Sequence, residues 1–272
     1  MAIIDAYKMD GLGNEFLIID RRNEIIDLDK NKIIKLGSRD KDGFDQLIFI
    51  DKEIDGITPL VFFNSDGEEI NACGNGSRCV AYLLGKEKHN DKISLKTKER
   101  ILIAEIIKEF SVKINMGKPI FDLDKIPILK NLDYKNIDLE FDDIKFTEGF
   151  ALNVGNPHII FFVKNCYEYD LKKIGPKIEN HKIFPEKCNV TFAQVNNKKN
   201  IDINVWERGA GLTKACGTAA CATAVASYLK GLTENLVNIR FKEGVLNINF
   251  DKDKNIFMTG PVSKIRKIKI NI

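Results

Sequence analysis

The sequence repeats itself. Sliding it by 142 or 143 positions lines up "GLGNEFLII" (11–19) with "NVGNPHIIF" (153–161), so that Asn14 falls on Asn156. At nearly the same offset "DQLIF" (45–49) meets "CNVTF" (188–192), setting Gln46 on Asn189. "FNSDGEEINACGNG" meets "WERGAGLTKACGTA", setting Asn64 on Glu207 and Cys73 on Cys216, and "INMGKP" meets "FMTGPV", setting Gly117 on Gly260. Five landmarks in one order at one offset imply two similar domains from an internal duplication, and 272 residues suit two domains of ordinary size.

Local patterns fill in each half. "FLIID", "QLIFI", "LVFFN" and "SVKINMG" are β-branched or aromatic runs bounded by Gly, Asn and Asp, which predicts strands. "RCVAYLLGKEK" and "CATAVASYLKG" instead space apolar residues as a helix does: Val80, Leu83 and Leu84 in the first, Ala222, Val225, Tyr228 and Leu229 in the second. Gly231 is the expected stop of the second helix. Each half is therefore expected to be α/β (α+β), mostly strands plus one helix led by its cysteine. The stretch 119–136 reads as the linker, and the tail "KIRKIKINI" alternates Ile268, Ile270 and Ile272 as an extra strand beyond the second copy.

Composition excludes several classes. The 42 basic and 39 acidic residues nearly cancel and are spread along the chain, which removes the electrostatic case for nucleic acid. No apolar run approaches the roughly 18 residues of a membrane-spanning helix, and a soluble, cytoplasmic protein is expected. Six cysteines without a CxxC pair fit neither a stapled scaffold nor a zinc site, so thiols and no metal are expected.

Cys73 and Cys216 stand apart from the other four cysteines because both precede glycine at a predicted helix start and are related by the repeat. Unpaired N–H groups and the dipole at a helix tip favour a docked carboxylate and lower the pKa of a neighbouring thiol from about 8.5. Gly74-Asn75-Gly76 and Gly217-Thr218 let a ligand come close to that backbone. One such turn from each domain, meeting at one cleft, would set two thiols on opposite faces of an amino acid Cα, one taking its proton and the other returning one, with no cofactor. Cys79, Cys166, Cys188 and Cys221 are expected to be ordinary buried residues. The glycine-rich strings complete neither a Walker pattern nor GxGxxG, and nucleotides are discounted.

At "KMDGLGNEF", "NSDGEEINACGNGSRC", "NVGNPH", "FPEKCNVTF", "WERGAGLTKACGTAAC" and "MTGP" the chain resembles the diaminopimelate epimerases almost end to end. The resemblance implies two pseudo-symmetric domains, each a barrel-like mixed sheet around a central helix. The C-terminal strand would join the first domain, giving residues 1–118 plus 263–272 and residues 119–262. It implies interconversion of L,L- and meso-diaminopimelate on the route to lysine and peptidoglycan, and a homodimer. Carried over by position, Cys73 and Cys216 match base and acid, and Gly74, Asn75, Gly217 and Thr218 match the groups that hold the reacting carboxylate. Asn14, Gln46, Asn64, Asn156, Asn189, Glu207 and Arg208 match pocket positions, several of them at the distal amino acid end. Arg208 suits a carboxylate there, and Glu207 an ammonium. His158 matches a pocket position too; both an auxiliary role and a purely structural one after the Pro turn stay open.

Asp10, Glu15 and Ala219 depart from the His, Asp and Gly usual in the family, and "RDKDGFDQ" (39–46) is shorter and more acidic than the usual stretch. Reaction type is therefore better determined than substrate. Lanthionine offers the same two charged ends, and the two-cysteine pattern also admits a one-ended amino acid racemase, a non-catalytic amino acid binder or a thiol redox protein.

Overall fold

The computed structural model describes residues 2–38, 43–98, 100–130, 132–141 and 144–272. The chain divides into two compact units, Met1–Asn115 with Thr259–Ile272, and Met116–Met258.

The first unit opens with a hairpin of β1 (Ile3–Gly11) and β2 (Asn14–Asp20), crosses over through α1 (Lys30–Gly37) to β3 (Gln46–Ile50), and turns back into β4 (Ile57–Asn64). The two-residue β5 (Glu69–Ile70) leads to α2 (Gly74–Lys88), then β6 (Lys92–Lys96), β7 (Ile101–Lys108) and β8 (Ser111–Asn115). β2 and β3 pair in parallel with Phe16 opposite Gln46, as do β4 and β6 with Ile57 opposite Ser94. Both parallel pairs follow from their helical crossovers, since a tight turn can join only antiparallel strands.

The second unit repeats this plan. β9 (Ile137–Phe141) pairs with the start of β10 (Ile144–Asn153), whose end forms a hairpin with β11 (Pro157–Phe162); α3 (Leu171–Glu179) crosses to β12 (Asn189–Asn197), parallel to β11. β13 (Asn200–Glu207) returns antiparallel, β14 (Gly211–Leu212) folds back on it, and α4 (Gly217–Leu229) crosses to β15 (Leu236–Phe241), followed by β16 (Gly244–Phe250). The offset seen in the sequence is therefore an offset between like elements: β2, β3, β4 and α2 correspond to β11, β12, β13 and α4.

β17 (Ile256–Pro261) carries the chain back, and the tail is β18 (Arg266–Asn271), antiparallel to β1 with Ile270 opposite Ile4. In the first unit the ladder runs β18-β1-β2-β3-β4-β6-β7-β8. It is open, not a closed barrel. It nonetheless wraps its helix, because α2 touches β1, β2 and β3 near one end and β6, β7 and β8 at the other. α4 is enclosed in the same way by β10, β11, β12, β15 and β16.

Both wrapped helices are buried on nearly every side, α4 through mostly small apolar residues and α2 with Asn75, Ser77 and Arg78 buried as well. Val80, Leu83 and Leu84 are buried on α2, and Ala222, Ala224, Val225 and Ala226 on α4. Tyr228 and Leu229 differ from the helical expectation: they are half-exposed at the helix end, where the Tyr228 ring packs on Phe250. Gly231 closes the helix with a left-handed backbone, φ +69°. The linker is no passive tether, since Ile126 and Ile128 are buried in the core of the second unit. In the first unit Ala6, Leu17, Ile19, Leu47 and Phe49 pack with Ile33 of α1. Each fully buried Ile or Phe contributes about 1.5–3 kcal/mol. No helix among the described residues is long and apolar enough to cross a membrane.

Gly76 shows how tightly α2 is seated. A Cβ there would lie 2.7 Å from Ile48 Cδ1 and 3.2 and 3.3 Å from the Phe16 and Phe62 rings. Gly76→Ala is expected to cost about 1–3 kcal/mol of stability by overpacking, read as a lower urea midpoint at unchanged slope.

Candidate active site

Both singled-out cysteines are helix N-caps with nearly the same extended backbone, φ −140°, ψ 116° at Cys73 and φ −128°, ψ 114° at Cys216. All six cysteines are thiols rather than disulfide partners. Gly74, Asn75 and Gly76 form the first turn of α2, and the Gly76 amide donates to Cys73 Sγ at 3.5 Å. The thiol in turn donates to Asn14 Oδ1, 3.7 Å away at the start of β2. Gln46 and Asn64 face each other on β3 and β4, with Gln46 Nε2 donating to Asn64 Oδ1 at 3.2 Å. The first unit therefore gathers Asn14, Gln46, Asn64, Cys73, Gly74 and Asn75 at the strand ends beside the α2 tip.

The second unit gathers the other set. Gly217 and Thr218 start α4, and Thr218 Oγ1 lies 3.3 Å from Cys216 Sγ. Glu207, at the end of β13, shares a hydrogen bond with the Cys216 thiol and accepts one from Thr213 Oγ1. Asn189 clamps its surroundings, donating to the Pro157 carbonyl at 2.8 Å and accepting from the Arg208 amide at 2.9 Å. The Arg208 guanidinium rests on the Glu186 carbonyl at 3.1 Å. Asn156 Oδ1 lies 2.8 Å from His158 Nε2.

The electrostatics depart from the helix-tip expectation. The Thr218 hydroxyl and Ala219 amide pull the Cys216 pKa down, but burial and the neighbouring Glu207 carboxylate outweigh them and hold it well above its ordinary value. Burial likewise raises the Glu207 pKa against its bonds from Thr213 and Cys216. Cys216 thus rests as a thiol beside a carboxyl group able to exchange a proton with it.

Burial, with Arg208 nearby, lowers the His158 pKa to about 3. The ring is neutral, and because Asn156 offers an oxygen, Nε2 carries the proton and the buried Nδ1 has no partner. The unfolded chain binds a proton near pH 6.5, well before the folded ring does, so His158 stabilises the fold fully above that pH and less as pH falls toward 3. Between about pH 6.5 and 5 this is expected to remove up to about 2 kcal/mol, a slope that urea titrations of His158→Gln should lack.

Nothing in the local sequence pattern marks Glu179 or Thr213. Glu179, buried on α3, accepts from the Trp206 indole at 2.7 Å and the Gly209 amide at 3.0 Å, bracketing Glu207 and Arg208. Of the departures, Asp10 accepts from the Gly13 amide at the β1–β2 turn, and Ala219 is fully buried. Residues 39–42 of the altered acidic stretch lie outside the described residues; Asp45 and Gln46, at its end, are in place.

The sequence profile described as diaminopimelate epimerase matches residues 6–121 and 150–265. The diaminopimelate epimerase of Pelagibacter ubique strain HTCC1062 is 51% identical over 272 residues, covering 99% of each chain. That of Wolbachia sp. subsp. Drosophila simulans strain wRi is 40% identical, covering 94% of this chain and 95% of its own. Among solved structures, a Bacillus anthracis protein of the phenazine biosynthesis PhzF family superposes with TM-score 0.68 at 16% identity over 100% of both chains. A probable proline racemase from Agrobacterium radiobacter K84 gives 0.70 at 10% identity, over 100% of this chain and 93% of that one. These two share the fold. With matched segments in both units and a relative alike from end to end, the chain belongs to the diaminopimelate epimerase family.

Proposed function

We propose that this protein interconverts L,L- and meso-diaminopimelate by moving a proton at one Cα between Cys73 and Cys216, with no cofactor. The observation that carries this is the pair of N-capping thiols, one per unit, each bonded to the first turn of a wrapped helix, with a carboxyl group beside the buried one. Cys73, as thiolate, takes the Cα proton; the released electron pair spreads onto the substrate carboxylate. Helix-tip amides facing that carboxylate stabilise the developing charge more than the ground state. Cys216 gives its proton to the opposite face, leaving thiol and thiolate exchanged, which is the state that serves the reverse direction.

Glu207 is the group through which Cys216 regains or loses its proton. Asn14, Gln46, Asn64, Asn156, Asn189 and Arg208 surround the substrate, Arg208 holding the distal carboxylate. The unpaired thiols fit a reducing compartment such as the cytoplasm. The test compares turnover of diaminopimelate, lanthionine and a one-ended amino acid such as histidine. Diaminopimelate is expected to be fastest; inactivity on both two-ended diamino acids would overturn the reading, and faster lanthionine turnover would replace the substrate while keeping the chemistry.

A further inference from the structure

The carboxylate of Asp45 accepts the Glu15 amide at 2.8 Å and Asn14 Nδ2 at 3.3 Å, both through Oδ2. Its backbone is fixed as well: its amide donates to the Glu15 carbonyl, its carbonyl accepts from the Ser65 amide, and Lys8 Nζ holds the Gly43 carbonyl two residues earlier. A carboxylate only accepts, so it orients the Asn14 amide with its nitrogen inward and its oxygen toward Cys73. Asn14 Oδ1 meets the Cys73 sulfur at 3.7 Å and must be given the thiol proton. A hydrogen bond of that kind exists for the thiol and not for the thiolate.

We infer that Asp45 is a positioning residue that, through the side-chain amide of Asn14, sets how readily Cys73 gives up its proton. Among the described residues the second unit has no such relay, because Cys188 stands at the position equivalent to Asp45 and Asn156 bonds His158 instead. Ionisable groups around the cluster include Glu15 and Lys8, whose backbone amide and side chain bond Asp45 and Gly43, and Cys79, Arg78 and Asp10, which lie close to one another beside Cys73. In Asp45→Ala the Asn14 amide loses the acceptor that orients it and can turn, so that it presents N–H to the sulfur and favours the thiolate. The inference deepens the two-thiol reading and rests on it for its catalytic meaning.

The test needs no substrate, so its failure is distinct from a failure of that reading. The full-length protein is alkylated with iodoacetamide at neutral pH, and the Cys73 and Cys216 peptides are followed separately by mass spectrometry. In Asp45→Ala the Cys73 rate should rise about threefold, the effect of half a unit of pKa, while the Cys216 rate stays constant. An unchanged Cys73 rate, or an equal rise at both cysteines, would overturn the inference. If Asp45→Ala does not fold, Asn14→Ala decides: it removes the acceptor and leaves the Asp45 bond to the Glu15 amide, and a Cys73 rate that fails to rise is equally fatal.

Discussion

Cys73→Ser and Cys216→Ser are each expected to lose epimerisation by about a thousandfold, within the 10²–10⁴ range for removing one general acid or base. A serine hydroxyl keeps the size and the N-cap geometry, so helicity and folding should be retained while the proton carrier is lost. Both variants should fail equally in the full reaction, because inversion needs a donor and an acceptor. They should differ in partial reactions. Whichever thiol survives still reaches the Cα proton on its own face, so each variant should exchange that proton with solvent for one stereoisomer of the substrate. Steady-state assays with both isomers, together with NMR-detected exchange, separate these outcomes. Near-normal activity in either variant would remove that cysteine from the chemistry.

Glu207→Gln should lower epimerisation by about a hundredfold while making Cys216 more reactive. The sign follows from the site. The negative carboxylate is one of the causes that raise the Cys216 pKa, so an amide in its place leaves more thiolate at neutral pH and faster alkylation of that residue. The same amide cannot carry the proton that Cys216 must regain in each cycle. Alkylation and turnover thus move in opposite directions, which a general loosening of the second unit does not produce. A parallel fall in both would mark Glu207 as a structural residue that only holds Thr213 and the β13–β14 turn in place.

Much of this site is legible in the sequence, for local reasons. A cysteine followed by glycine at the start of an apolar helical period specifies an N-cap, and the repeat specifies it twice; the caps and both helices stand where those patterns put them. The parallel pairing of β2 with β3 follows once a helix separates two strand patterns. What the sequence hides is non-local. Glu207 meets Cys216 only because β14 folds back on β13, setting Leu212 opposite Trp206. Asp45 reaches Asn14 only through the register that sets Phe16 opposite Gln46. The direction of the Cys216 shift is hidden for a related reason: the helix tip is visible in the chain, but the burial that overrides it belongs to the packed fold. Glu179 carries no local mark either, since its partners lie 27 and 30 residues away.

The central claim, two thiols serving one carbon, is tested most directly by isotope fate in heavy water. L,L-diaminopimelate is incubated with the wild-type protein in D₂O and sampled within the first few per cent of conversion. Deuterium is expected at Cα of the newly formed meso isomer and not in the recovered L,L isomer, because the incoming hydron arrives from a different group than the one that took the proton. Deuterium appearing equally in both isomers would mean a single base, its absence from both would mean a protein that binds without reacting, and either result would contradict the account.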